Sequence, residues 1–82
     1  MHYVYALRSF SHPGKTYVGE TNNLERRIRQ HNNGESTHTA RFAPWKLDFY
    51  IAFESRDQAK EFEAYLKSHS GKAFARKRLW SS

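Results

Sequence analysis

The apolar positions change their period along the chain, and each change marks an element. Residues 2–8, His-Tyr-Val-Tyr-Ala-Leu-Arg, are dominated by aromatic and β-branched types, the composition of a strand. Ser9 to Gly14 is a turn cluster ending in Pro13-Gly14. Residues 15–20, Lys-Thr-Tyr-Val-Gly-Glu, read as the returning strand of a hairpin. The hairpin sets Tyr5 and Tyr17 roughly opposite each other, two phenols on one face. Asn22 then serves as a helix N-cap with Glu25 as its capping-box partner. Leu24 and Ile28 follow at helical spacing, and Gly34 is a natural stop. Residues 34–45 have no period and read as a loop. Residues 46–54 alternate, with Leu47, Phe49, Ile51 and Phe53 on one side, which predicts a strand. Ser55 caps a second helix with Gln58 in the capping-box position. Its apolar stripe is Ala59, Phe62 and Leu66, and it continues to about Ser68. Ser70-Gly71 breaks it, and a short last helix runs from about Lys72 to Leu79. The order is β-β-α-β-α-α. It predicts an α+β domain with a small three-stranded, largely antiparallel sheet flanked by helices. No repeat, linker or low-complexity tract divides residues 1–82, so a single domain is expected.

Composition narrows the chemistry. The 82 residues contain no Cys, which removes disulfides, thiol catalysis and Cys-based zinc sites. No apolar run approaches the roughly 20 residues of a membrane span. The opening Met1-His2-Tyr3-Val4-Tyr5 lacks the basic-then-apolar order of a signal peptide. The expectation is a soluble, cytoplasmic domain with no membrane partner. Fourteen Lys and Arg against eight Asp and Glu give a net charge of +6, which favours polyanions, above all nucleic acid. The excess concentrates late: Lys67, Lys72, Arg76, Lys77 and Arg78 follow Glu63, and no acidic residue does. With Phe74 and Trp80 interleaved, this stretch could track a phosphate backbone. Alternatively Phe74, Leu79 and Trp80 pack the last helix on the core and leave the cations solvated.

Several side chains stand out from this frame. Arg27 and His31 are four apart and share a helix face, and the guanidinium fork suits phosphate. Gly19 weakens a strand for no local reason, which points to close approach by another backbone or a ligand. Glu63 lies beside the stripe of the second helix, whereas Glu61 points away. A carboxylate there can reach a cleft against the sheet, or simply pair with Lys67 four residues on. His2, His12, His38 and His69 have no metal-ligand spacing, and there is no Gly-rich phosphate loop and no His-Glu-x-x-His.

Together these residues form one arrangement. Tyr3-Val4-Tyr5, then eleven residues, then Tyr17-Val18-Gly19 resembles the paired motif that names the GIY-YIG nuclease family. Thr21 to Asn32 is similar to that family's first helix, with Arg27 and His31 in place. Ala59-Lys60-Glu61-Phe62-Glu63, followed by Leu66-Lys67, resembles the segment holding its single acidic residue, here Glu63. The likeness extends to small stand-alone bacterial members and to the N-terminal nuclease domain of excinuclease ABC. It implies a divalent-metal-dependent DNA endonuclease, suited to DNA repair or processing. The implied catalytic set is Tyr5, Tyr17, Arg27, His31 and Glu63, with Glu63 holding Mg2+ or Mn2+. Tyr5 or Tyr17 would activate the water, and His31 would orient a Tyr or take a proton. Lys15, Gly19, Lys67, Lys72, Arg76 and Lys77 would meet the substrate. DNA is the expected partner, with RNA open, and a homodimer or protein partner would supply specificity. Tyr3 stands where the motif's name has Gly, and no Asn follows Asn33, where some members use one late in the chain. The same scaffold also suits a non-catalytic nucleic-acid-binding module or, third, a protein-interaction domain with an acidic partner.

Overall fold

The structure, a computed structural model, describes residues 1–80; Ser81 and Ser82, the end of the expected single domain, lie outside the described residues. Strand β1 (His2–Ser9) is the middle of a three-stranded sheet between β2 (Thr16–Thr21) and β3 (Trp45–Phe53), antiparallel to both. Helix α1 (Leu24–Asn32) and the single turn α2 (Thr37–Ala40) precede β3, and α3 (Arg56–Lys67) and α4 (His69–Arg78) follow it. The expected α+β order holds, with α2 added in the segment expected to be a loop.

Val4, Tyr5, Ala6 and Leu7 are all buried because both faces of the central strand are covered. Val4 packs with Ala59, Leu66 and Ala75 of α3 and α4. Tyr5 and Leu7 pack on the other face with Trp45, and with Leu24 and Ile28 of α1. The alternation read for β3 does not survive whole. Ala6 pairs with Phe49 but Leu7 pairs with Leu47, so Asp48 is an extra residue, a β-bulge. Beyond the bulge the faces exchange. Phe49 and Phe53 join the α3–α4 side while Leu47 joins the Tyr5 side. The Asp48 carboxylate is held by Arg8 at 3.4 Å and Lys46 at 3.9 Å.

Helix ends depart from expectation where side chains compete to cap. Asn23, not Asn22, caps α1 by accepting from the Arg26 N–H; the Thr21 hydroxyl takes the Asn23 N–H and sets the helix start one residue later. Gly34 ends α1 at φ +76°, the left-handed geometry that favours glycine. Ser55 caps α3 through the Gln58 N–H as expected. The break before α4 falls at Ser68 rather than Ser70-Gly71. Its hydroxyl donates to the Tyr65 carbonyl and accepts from the Gly71 N–H, closing one helix and opening the next. Gly71 lies inside α4, where a Cβ would collide with the Tyr65 carbonyl. Leu79 and Trp80 pack on the core, whereas Phe74 is 40% exposed and Ala75 fills the buried position.

The α3–α4 corner generates a prediction. Gly71→Ala should destabilise the fold by about 1–3 kcal/mol through overpacking against fixed backbone. Urea denaturation checks this; unchanged stability would show that the corner has slack.

Candidate active site

The site begins with a phenol that crosses its neighbouring strand. Tyr5 pairs with Gly19, and Leu7 with Tyr17. The two tyrosines are therefore diagonal rather than opposite, one pair apart, but share a face with ring centroids 6.2 Å apart. A Cβ on Gly19 would lie 2.6 Å from the Tyr5 hydroxyl oxygen and 3.0 Å from the Tyr17 ring. The close approach expected at Gly19 is thus made by the Tyr5 side chain. Glycine is required because the phenol passes over β2 toward the sheet edge.

A hydrogen-bonded chain fixes that phenol. The Tyr5 hydroxyl lies 2.8 Å from His31 Nε2, and His31 Nδ1 lies 2.7 Å from the Thr39 hydroxyl. The Tyr5 oxygen also accepts a hydrogen bond from the Arg27 guanidinium. Arg27 can only donate, so the Tyr5 proton points to Nε2. His31 then carries its own proton on Nδ1 and gives it to Thr39, whose hydroxyl faces the Ser36 carbonyl at 3.5 Å. Trp45 holds the Thr39 segment in place, its indole N–H donating to the Thr39 carbonyl at 2.8 Å. Tyr5 is 1% exposed and His31 0%. Burial pushes the Tyr5 pKa up to about 12, partly opposed by Arg27 and reinforced by the nearby Tyr17 and Glu63. Burial, with Arg27 beside it, lowers His31 from the ordinary 6.5 to about 4. Both groups are neutral near pH 7, and Arg27 is the charge that acts on both.

Arg27 is held from a second side by Gln30, whose carbonyl accepts from Nη1 at 3.0 Å. Glu63 comes from α3, on the opposite face of the sheet, yet acts electrostatically on Tyr5. Its carboxylate pairs with Lys67 at 2.9 Å and Lys60 at 3.7 Å, so the anticipated i, i+4 pair is present. Lys60 also reaches Glu20 at 3.2 Å, next to Gly19. Tyr17 borders His31, ring centroids 4.9 Å apart, and also lines a cleft of about 610 Å3 between β2 and α3–α4. Lys67, Lys72 and Arg76 line that cleft, with Arg8 and Trp80. Lys15 stands apart on the hairpin turn over the Phe42 ring at 5.3 Å, and Lys77 is exposed on α4 outside the cleft lining. Thr39, Gln30 and Glu20 carry no local pattern that would mark them in the sequence.

The donors at this edge suit a hard divalent cation bound largely through water and substrate oxygens. Among the described residues no three His, Asp or Glu side chains converge as ligands. Glu63 is the carboxylate beside Tyr17's cleft, and Glu20 is joined to it through Lys60. Magnesium characteristically uses one or two carboxylates and keeps several waters, so Glu63 fits, provided its lysine partners yield.

The chain matches the GIY-YIG catalytic domain family over residues 1–78. It is 41% identical over 68 residues to a UPF0213 protein of Clostridium perfringens, covering 82% of this chain and 71% of that protein. It is 44% identical over 71 residues to structure-specific endonuclease subunit SLX1 of Mycosarcoma maydis. That match covers 79% of this chain but only 11% of the larger protein. The solution NMR structure of a UPF0213 protein from Bacillus halodurans aligns with a TM-score of 0.56 at 30% identity, covering 95% of this chain and 85% of that one. This neighbour carries the same fold.

The buried chain has a pH signature. The folded state keeps His31 neutral below the ordinary pKa of 6.5, so the unfolded chain binds more protons there. The His31 contribution to stability is complete above about pH 6.5, falls as the pH drops, and levels off below about pH 4. Imidazole NMR signals of His31 should accordingly stay in the neutral form down to about pH 5. Titration near pH 6.5 would contradict the buried chain.

Proposed function

The chain belongs to the GIY-YIG family, and we propose that it is a divalent-metal-dependent endonuclease that hydrolyses phosphodiester bonds in DNA. One observation carries the reading. Residues from four elements on two faces of the sheet (Tyr5, Tyr17, Arg27, His31 and Glu63) meet near the β2 edge, where Gly19 makes room for them. A purely packed Tyr pair needs neither the guanidinium nor the carboxylate.

Phosphoryl transfer depends on positioning and charge more than on covalent help. Arg27, fixed by Gln30 and by the Tyr5 oxygen, grips the non-bridging phosphate oxygens. Tyr5, with its proton committed to neutral His31, acts as a positioning residue for Arg27 rather than as the group that touches water. Tyr17 faces the cleft, so it is the phenol that orients the attacking water. Glu63 would hold Mg2+ or Mn2+. When bound, that ion supplies Lewis-acid polarisation of the phosphate and stabilises the leaving oxygen. Lys67 can exchange the Glu63 carboxylate for a DNA phosphate, which frees Glu63 as substrate arrives. The relation to an SLX1 endonuclease subunit supports including branched DNA among the substrates. An alternative, a binding module without catalysis, is favoured by one observation: the two lysines that occupy Glu63.

Cleavage of end-labelled linear, single-stranded and branched DNA separates the two. The nuclease reading expects cutting with Mg2+ or Mn2+, none with EDTA, and none by Glu63→Ala, which still binds DNA. Tyr17→Phe should fold normally and lose on the order of 100-fold or more in rate. DNA binding without cutting under every metal condition would favour the binding module.

A further inference from the structure

The cleft beside the site has a chemistry of its own. One wall is the Trp80 indole, fixed by Phe49 edge-on with centroids 5.1 Å apart and by the Arg8 guanidinium 5.1 Å from its ring. Arg8, Lys67, Lys72 and Arg76 contribute positive charge, and among the described residues the lining holds no carboxylate. Tyr17 belongs to both the cleft and the catalytic cluster, and Lys67 joins the cleft to Glu63. The volume of about 610 Å3 lies within the usual range for pockets that take small organic ligands, about 300–1,000 Å3.

A phosphate-tracking surface alone needs only cations. This cleft adds an aromatic wall and apolar depth, from Val18, Leu66 and Ala75 behind the charges. Those are the elements that hold an unstacked base: a π-face to stack on and cations for the flanking phosphates. A paired duplex keeps its bases stacked inside and offers only phosphates to such a cleft.

We propose that the cleft binds one unpaired nucleotide of the DNA substrate. The base rests against Trp80, and the flanking phosphates lie on Lys67, Lys72 and Arg76. This deepens the nuclease reading and rests on it for one point, the placement of the scissile bond at Tyr17 and Glu63. The consequence is selection for DNA with an unpaired nucleotide over continuous duplex. Sequence plays little part, because every base has a π-face.

The test is equilibrium binding in EDTA, so that cleavage does not enter. The probes are a labelled blunt duplex and the same duplex carrying one unpaired thymidine. Wild-type protein should bind the second at least tenfold more tightly. Trp80→Ala should remove that preference and leave blunt-duplex affinity unchanged, and Trp80→Phe should restore most of it. Tryptophan fluorescence gives a second readout that needs no substitution. Trp45 is buried, so the cleft Trp80 is the one a stacked base reaches. Only the unpaired-thymidine probe should quench it. Equal affinity for the two probes would overturn the assignment, as would equal quenching or a Trp80→Ala loss shared by both. Those results leave the nuclease reading standing. Failure to bind either probe would overturn both.

Discussion

The Tyr5–His31 hydrogen bond, 2.8 Å long and sealed from water, is the constraint on which the site depends. Burying a phenol and an imidazole is costly unless each finds a partner. Each is satisfied here only if the proton order runs from Tyr5 through His31 to Thr39. That order leaves the Tyr5 oxygen free to accept from Arg27. The bond therefore joins the central strand to α1, fixes which way a cation points, and explains why β2 must have glycine at position 19. Fold and site are linked through the same three side chains.

Charge forms the second layer. Glu20 and Glu63 sit among Lys60, Lys67 and Arg56. Exposed lysine pairs such as these contribute little to stability, about 0–1 kcal/mol each, and can be exchanged for a phosphate at small cost. That lability suits a site that takes a metal only when DNA is present. In contrast, the buried neutral pair of Tyr5 and His31 does not rearrange readily. The rigid part holds the guanidinium, and the exchangeable part holds the carboxylate.

Much of this was legible in the chain. The hairpin, the helical spacing of Arg27 and His31, the Ser55 cap and the place of Glu63 beside the Ala59–Phe62–Leu66 stripe are local patterns, and they hold in three dimensions. What was hidden is non-local. The bulge at Asp48 depends on pairing with β1 and on Arg8, and no period within β3 announces it. Thr39 sits in a segment without pattern and becomes important only because α2 delivers it to His31. Ser70-Gly71 reads as a helix break by composition. In three dimensions Ser68 does the capping, and Gly71 serves a close contact. The Tyr5–Tyr17 register was off by one pair, which preserved the face but concealed that Tyr5, not a ligand, fills the space over Gly19.

The central claim is that the Tyr5 hydroxyl, held by His31, positions Arg27 for phosphate. Single-turnover cleavage by Tyr5→Phe tests it most directly, since the ring and its packing remain and only the hydroxyl is lost. The account predicts a folded protein that still binds DNA and cuts it slower by on the order of 100-fold, the cost of a misplaced catalytic group. Cleavage by the folded variant at the wild-type rate would contradict it.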